Sequence, residues 1–261
     1  MSHFTQLFVH DFQAFLHDSL ARPGTGRVEL AKCIADTLVI KNPPDKEKKI
    51  QQVVLARKIE YLLHFTPLNN LRNILRLGFV PRKFLEMSGV KEVIRPLAPD
   101  QFRDDGREEC FCLSISWPNY KMFFAKRNTM QVEWVVLKIN IEAIIKHKCL
   151  FFQTNAASPK ARKDGPNNLE AMFYDGGIRH RLGIDDSFTT DPQAEVMSYS
   201  RIPPDWIEEI YTDRLTKSMN RELLAISKEN LLENGNGKGK IKITQDKTFF
   251  GPRKDFSFWK K

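Results

Sequence analysis

The 261 residues contain no CxxC pair, no glycine-rich phosphate loop, no dinucleotide fingerprint and no apolar run of membrane-spanning length. Each absence removes a class of function. Four cysteines, Cys33, Cys110, Cys112 and Cys149, lack zinc-site spacing, so no metal is expected. A chain of this length needs no disulfide framework either, and reduced thiols in the cytoplasm are the simple reading. A nucleotide, if bound, is bound without the usual phosphate-cradling glycines. The first residues, MSHFTQLFVHDFQAF, carry no basic run and are broken by His10 and Asp11, which does not fit a signal peptide. With no spanning segment, a membrane is not an expected partner. No internal repeat is evident.

What is present is charge. The chain has 41 basic and 32 acidic residues, a net charge of +9. That balance favours nucleic acid or acidic surfaces as partners. At 41% hydrophobic and 28% charged residues, the composition fits one globular domain with appendages, or two small ones.

The stretch that organises the chain is Tyr61–Gly78, YLLHFTPLNNLRNILRLG. Tyr61–Phe65 is a short apolar strand interrupted by His64. Thr66 is expected to cap a helix, with Pro67 at its first position. Leu68, Leu71, Ile74 and Leu75 follow at helical spacing, and Gly78 ends the pattern. A polar pair at a strand's mouth, beside free helix N–H groups, is a place to hold a ligand, although a lone histidine there is more often structural. The second informative stretch is DPQAEVMSYS, Asp191–Ser200, which puts Glu195 inside a strand directly after a loop. A carboxylate in an apolar strand is expensive to bury without a partner or a task.

Around these, residues 4–20 and Val28–Ile40 read as helices, and Lys41–Lys49 as a charged, proline-bearing break. Ile50–Arg57 reads as a helix, and Phe79–Pro81 as a short strand. The stretch 86–109 is a long polar loop containing Arg95, Arg103 and Arg107. Cys110–Ser116, Glu133–Asn140, Cys149–Thr154, Gln193–Tyr199, Trp206–Thr212 and Ile241–Thr244 are predicted strands. Asn119–Lys126, Ile141–His147, Leu169–Tyr174 and Leu215–Leu232 are predicted helices. Two loops, 155–168 and 175–192, are rich in basic residues. From Lys238 onward, eight basic and two acidic residues are interleaved with Phe249, Phe250, Phe256, Phe258 and Trp259. That mixture suits single-stranded nucleic acid, or a solubilising tail whose aromatics tuck into the core.

The pieces resemble the DarT family of ADP-ribosyltransferases. The H-x-T strand and its leucine-rich helix match His64-Phe65-Thr66, Asn70-Leu71 and Ile74-Leu75. An apolar strand followed by P-x-x-x-M matches CLSISW with Pro118 and Met122, and a Q-A-E strand matches Gln193-Ala194-Glu195. The apolar strand at Trp206–Tyr211 and the ending at Ile241–Phe250 are similar too. One departure is Ala157, where some relatives with an F-T-D-x-H segment carry histidine.

The resemblance implies an α+β ADP-ribosyltransferase fold, two packed and mostly antiparallel sheets around an NAD cleft. The domain expectation is a helical N-terminal extension over 1–48, the transferase domain over 49–250 and a basic, aromatic tail over 251–261. NAD is implied as substrate. Glu195 is the implied catalytic carboxylate, stabilising positive charge on the ribose as nicotinamide departs. Arg103 is the implied catalytic arginine, with Arg107 second. His64, Thr66, Asn70, Ser116, Tyr120 and Met122 are implied NAD contacts. Lys160, Arg162, Lys163, Arg179 and Arg181 are expected on the nucleic-acid side. The implied acceptor is a base in single-stranded DNA, with RNA as an option. The implied setting is a toxin held by a cognate antitoxin protein, in phage defence. Rival readings stand beside it: a non-catalytic nucleic-acid-binding module, and an ADP-ribosyltransferase acting on protein or an RNA phosphotransferase of the same fold.

Overall fold

The computed structural model describes residues 39–85, 106–229 and 241–259. The helical pattern at 4–20, most of that at Val28–Ile40, and the loop arginines Arg95 and Arg103 lie outside the described residues. Helices α1 (Pro44–Ala56), α2 (Leu68–Leu77), α3 (Arg82–Leu85), α4 (Tyr120–Thr129), α5 (Glu142–Lys146), α6 (Pro159–Asp164), α7 (Ile178–Leu182) and α8 (Lys217–Lys228) are interspersed with seven strands. These are β1 (Tyr61–Pro67), β2 (Phe111–Ile115), β3 (Trp134–Asn140), β4 (Cys149–Phe152), β5 (Glu195–Ser198), β6 (Ile207–Thr212) and β7 (Lys242–Gln245).

The strands run in the order β4-β5-β2-β1-β3-β6-β7. Every pair is antiparallel except β6 with β7. β1 pairs with β3 over its full length, from Tyr61↔Asn140 to Pro67↔Trp134. With β2 it shares only Leu62↔Ile115 and Leu63↔Ser114. Where two packed sheets are expected, the strands form one seven-stranded sheet, whose halves β4-β5-β2 and β1-β3-β6-β7 meet at this short seam.

The period of two decides which side chains each face receives. Leu62, Leu113, Ile115, Leu137, Ile139 and Val196 enter the main core, where Leu68, Leu71 and Leu75 of α2 and Leu223 and Ile226 of α8 also pack. Leu63, Val136 and Trp134 point the other way, to Phe123 and Phe249. Cys110, Phe152, Ala156, Ala161 and Met197 form a third cluster, beside β4 and β5.

Several local expectations change. Thr66 does not cap α2: Pro67 is the N-cap residue and no side chain caps the helix. The reason is β3, whose ladder keeps β1 extended through Pro67, so Thr66 Oγ1 instead accepts from Asn70 Nδ2 at 3.0 Å. Phe79 makes one bridge to Ile202 rather than a strand. The charged break at Lys41–Lys49 is largely the start of α1, where Pro44, Asp45 and Glu47 suit a helix N-terminus. The two basic loops each contain a short helix, α6 and α7. Ser158 Oγ caps α6 by accepting from Ala161 N at 3.1 Å.

Gly78 is required where it stands. Its φ is +80°, and a Cβ there would meet Ile202 O at 2.0 Å. The close approach lets Phe79 N donate to Ile202 O at 2.8 Å, fastening the end of α2 to the segment after β5.

Candidate active site

Glu195 opens β5 opposite Phe152 of β4, and it is 3% exposed. Cross-strand partners share a face, so its carboxylate lies on the side of Phe152 and Met197. Each carboxylate oxygen accepts an N–H. Asn119 Nδ2 donates to Oε1 at 3.3 Å, and the amide of Ala156 donates to Oε2 at 3.0 Å. The first donor sits at the head of α4 and the second follows β4, so the group is held from both sides of its strand. The β2–β5 ladder ends at Leu113↔Val196, which puts Ser114 beside Glu195 one step further along. Ser114 Oγ accepts from the amide of Asn119 at 3.1 Å. Arg107 lies over the ring of Phe152, 5.3 Å from its centroid, on the strand next to Glu195.

Asn119 does two things at once. Its Oδ1 accepts from Met122 N at 3.2 Å and caps α4, while its Nδ2 reaches Glu195. It is fully buried. The chain enters this cap through Ser116, whose φ of 56° is a left-handed conformation that a non-glycine side chain rarely adopts. The hydroxyls of Ser116 and Tyr120 are buried and have no hydrogen-bond partner among the described residues. Burial raises the Tyr120 hydroxyl above its ordinary value, and the charge of Asp255 adds to that while Arg253 works the other way. Two buried hydroxyls without partners, on the residues flanking the turn that carries Asn119, are groups able to receive a polar substrate. Met122 is half-buried on the first turn of α4.

His64 and Thr66 turn toward the main core, the face opposite Ser114 and Glu195 by strand alternation. They stand where β1 and β2 cease to pair. The His64 ring crosses that gap, with Nδ1 2.8 Å from Cys112 O and an edge contact to Phe79 at 4.9 Å. A carbonyl only accepts, so Nδ1 carries the proton. Asn70 Nδ2 donates to Thr66 Oγ1 on this side. The predicted contacts thus fall in two sets, one around Glu195 and one at the seam.

Among the predicted nucleic-acid contacts, Lys160, Arg162 and Lys163 are exposed on α6, which begins three residues after Ala156. Arg181 is exposed and lies 5.4 Å over the ring of Phe258. Arg179 must be corrected. It is 6% exposed, and its guanidinium donates to the carbonyls of Phe188 and Asp185 at 2.7 Å each and to Thr190 Oγ1 at 3.2 Å. Its donors are committed to the protein, so it is not a phosphate contact. Phe249 and Phe250 are likewise structural, packed with Tyr61, Phe123, Trp117 and Tyr211. Phe256 and Phe258 remain exposed, at 37% and 39%.

Sequence reasoning missed Asn119, Ser114 and the amide of Ala156. The asparagine carried a signal, because Asn after Pro118 and before a helical run reads as a cap, but its bond to Glu195 spans 76 positions. The Ala156 donor is main chain and leaves no mark in the sequence. Among the described residues no cluster of His, Cys, Asp and Glu is arranged to hold a metal ion, and no helix is long and apolar enough to cross a membrane.

The family model described as "ssDNA thymidine ADP-ribosyltransferase, DarT" matches residues 63–234. The chain is similar in structure to Thermosipho africanus DarTG in complex with ADP-ribose, at 18% identity and a TM-score of 0.46, covering 74% of this chain and 51% of that one. It therefore spans about half the length of that relative. Thermus sp. 2.9 DarT in complex with NAD+ is similar at 17% identity and a TM-score of 0.42, over 72% of this chain and 97% of that one. The same Thermus protein in complex with ADP-ribosylated ssDNA is similar at 16% identity and a TM-score of 0.42, over 74% and 97%. None of the curated proteins matches the chain.

Proposed function

The chain belongs to the DarT family of ssDNA thymidine ADP-ribosyltransferases, and we propose that it transfers ADP-ribose from NAD to a base in single-stranded DNA, releasing nicotinamide. The observation that carries this reading is Glu195, a buried carboxylate held at a strand end by Asn119 and the Ala156 amide. NAD supplies the ribosyl group and a neutral leaving group. Two N–H donors hold the carboxylate before the substrate arrives, so little reorganisation is needed as positive charge builds on the ribose. As the bond from the ribose to nicotinamide breaks and a bond to a base nitrogen forms, the base loses a proton. On this reading Glu195 takes it.

The remaining assignments follow the same reading. Ser116 and Tyr120 offer hydroxyls to NAD, and Met122 packs beside them. His64 and Thr66, at the seam between the two half-sheets, serve the adenosine side, with Asn70 orienting Thr66. Arg103, outside the described residues, aligns a phosphate or the acceptor, as a guanidinium does through paired donors. Lys160, Arg162, Lys163 and Arg181 guide the single strand to the site. A base must be unstacked to be reached, which favours single strands. The toxin role, with an antitoxin protein as its restraint, belongs to this proposal, and RNA is kept as an alternative acceptor.

The test is incubation with labelled NAD and single-stranded DNA, single-stranded RNA or protein, followed by mass spectrometry. Label on DNA is expected; label on protein alone would overturn the reading. Glu195→Gln keeps the shape but turns an amide donor toward Asn119 Nδ2 or the Ala156 N–H. It is expected to lower kcat about 10²–10³-fold and to cost about 1–3 kcal/mol of stability. Toxicity on expression, relieved by Glu195→Ala, tests the toxin role.

A further inference from the structure

The segment Asp185–Ala194, which delivers Glu195 to β5, is held by two buried arginines from opposite ends of its sequence neighbourhood. Arg179 grips it from the preceding helix. The other grip comes from beyond residue 250, outside the residues the family model matches. Arg253 is 2% exposed. Its Nη1 donates to Thr189 O at 2.6 Å and its Nη2 to Thr190 O at 3.1 Å. Nε and Nη2 also donate to the two oxygens of Asp255, at 2.9 and 2.5 Å. Trp259 Nε1 completes the group by donating to Asp255 Oδ2 at 2.8 Å.

A guanidinium is costly to bury unless its donors are matched, and this one is matched on all three nitrogens. A dispensable tail has no need of such a network. Its reach extends into the site. The Arg253 guanidinium lies 5.6 Å over the ring of Phe188, and Phe188 meets Trp117 edge to face at 5.6 Å. Trp117 directly follows the left-handed Ser116. The charges of Asp255 and Arg253 also act on the Tyr120 hydroxyl.

We propose that Arg253 is a positioning residue for the transfer: through Thr189, Thr190 and Phe188 it fixes the loop before Glu195 and, with it, the acceptor base. This rests on the transfer reading above. The acceptor competes with water for the activated ribose, and only the acceptor needs the loop in place. Loosening the loop therefore shifts NAD consumption from transfer toward hydrolysis.

The experiment uses the full chain carrying Arg253→Lys, or Arg253→Met with Asp255→Leu, which removes both charges and leaves no unpaired carboxylate. Labelled NAD and a thymine-containing single-stranded oligonucleotide are supplied, and labelled oligonucleotide and free ADP-ribose are both counted. The ratio of transfer to hydrolysis is expected to fall about tenfold or more, as misplacement of a reacting group does. KM for the oligonucleotide is expected to rise by a larger factor than KM for NAD, because on this proposal the loop positions the acceptor. Transfer and hydrolysis falling together at a constant ratio would mark a merely structural role and overturn the proposal. Hydrogen exchange gives a readout independent of activity. In the unmodified protein, amides of 185–194 and 251–259 should open as one unit, and Arg253→Lys should speed exchange at 185–194. Separate opening, or unchanged exchange in the variant, overturns the clamp. Wild-type protein that labels no DNA would instead overturn the transfer reading, with exchange still deciding the clamp.

Discussion

Replacing Asn119 with aspartate separates its two jobs. The cap survives, because a carboxylate oxygen still accepts from Met122 N. The bond to Glu195 does not, because the donor becomes a second carboxylate oxygen 3.3 Å from Oε1. At an effective dielectric near 20, two unit charges at that distance repel by about 5 kcal/mol. The pair escapes by keeping one proton. Holding a proton at pH 7 on a carboxyl of ordinary value near 4.3 costs about 4 kcal/mol. Protonation is the cheaper course, so Asn119→Asp should be less stable than wild type by about 3–4 kcal/mol at pH 7.

The sign of the pH dependence follows. The folded variant binds a proton that its unfolded chain releases, so its deficit shrinks as pH falls, by about 1.4 kcal/mol per unit. Near pH 4.5 the two proteins should agree within about 1 kcal/mol, and near pH 8 the deficit levels off at about 5. Urea unfolding of both proteins at pH 5, 6, 7 and 8 gives the difference directly. Transfer activity should fall with the variant at pH 7, since Glu195 then shares a proton. A difference that is flat across this range would refute the contact between Asn119 and Glu195, and with it the account of how the carboxylate is held.

Two further outcomes are expected. Gly78→Ala forces a Cβ against Ile202 O at a positive φ. It should cost about 4 kcal/mol or more, read by thermal or urea unfolding; a loss under about 1 kcal/mol would show that the approach of α2 to Ile202 relaxes easily. His147 is buried against Trp206 at 4.8 Å, and burial first, then Lys41 and Lys146, push it down to about 4. Its unfolded chain takes up a proton first, so stability should be fully present above pH 6.5 and lost as pH falls toward 4. Allowing for solvent screening, the loss is about 1–2 kcal/mol. His147→Gln should flatten that part of the profile, and an unchanged slope would assign it to other groups.

The elements legible from sequence are those whose cause is local. β3 and β6 follow from alternation, and α2 from leucines at helical spacing ended by Gly78. Misreadings occur where a distant partner decides. Thr66 is a sound cap by its own chemistry, yet β3 holds it in a strand. Pro43 and Pro44 look like a break, yet they open α1. The helices α6 and α7, of six and five residues, are too short for periodicity to appear.

The site divides in the same way. Glu195 was legible because a carboxylate in an apolar strand is an expense that demands a reason. The groups that meet its demand were not, since one is a main-chain amide and the other an asparagine 76 positions away in the chain. Positive charge was the least legible feature. A net charge of +9 treats Arg179, Arg181 and Arg253 alike, yet the first and third donate to carbonyls of one loop while Arg181 faces solvent. What separates them is supply of acceptors. Residues 185–190 turn carbonyl groups inward with no strand to pair them, and a buried guanidinium is the side chain best able to satisfy several at once. The geometry ahead of Glu195 therefore depends on residues 58 positions beyond it, which no motif ending at the glutamate contains.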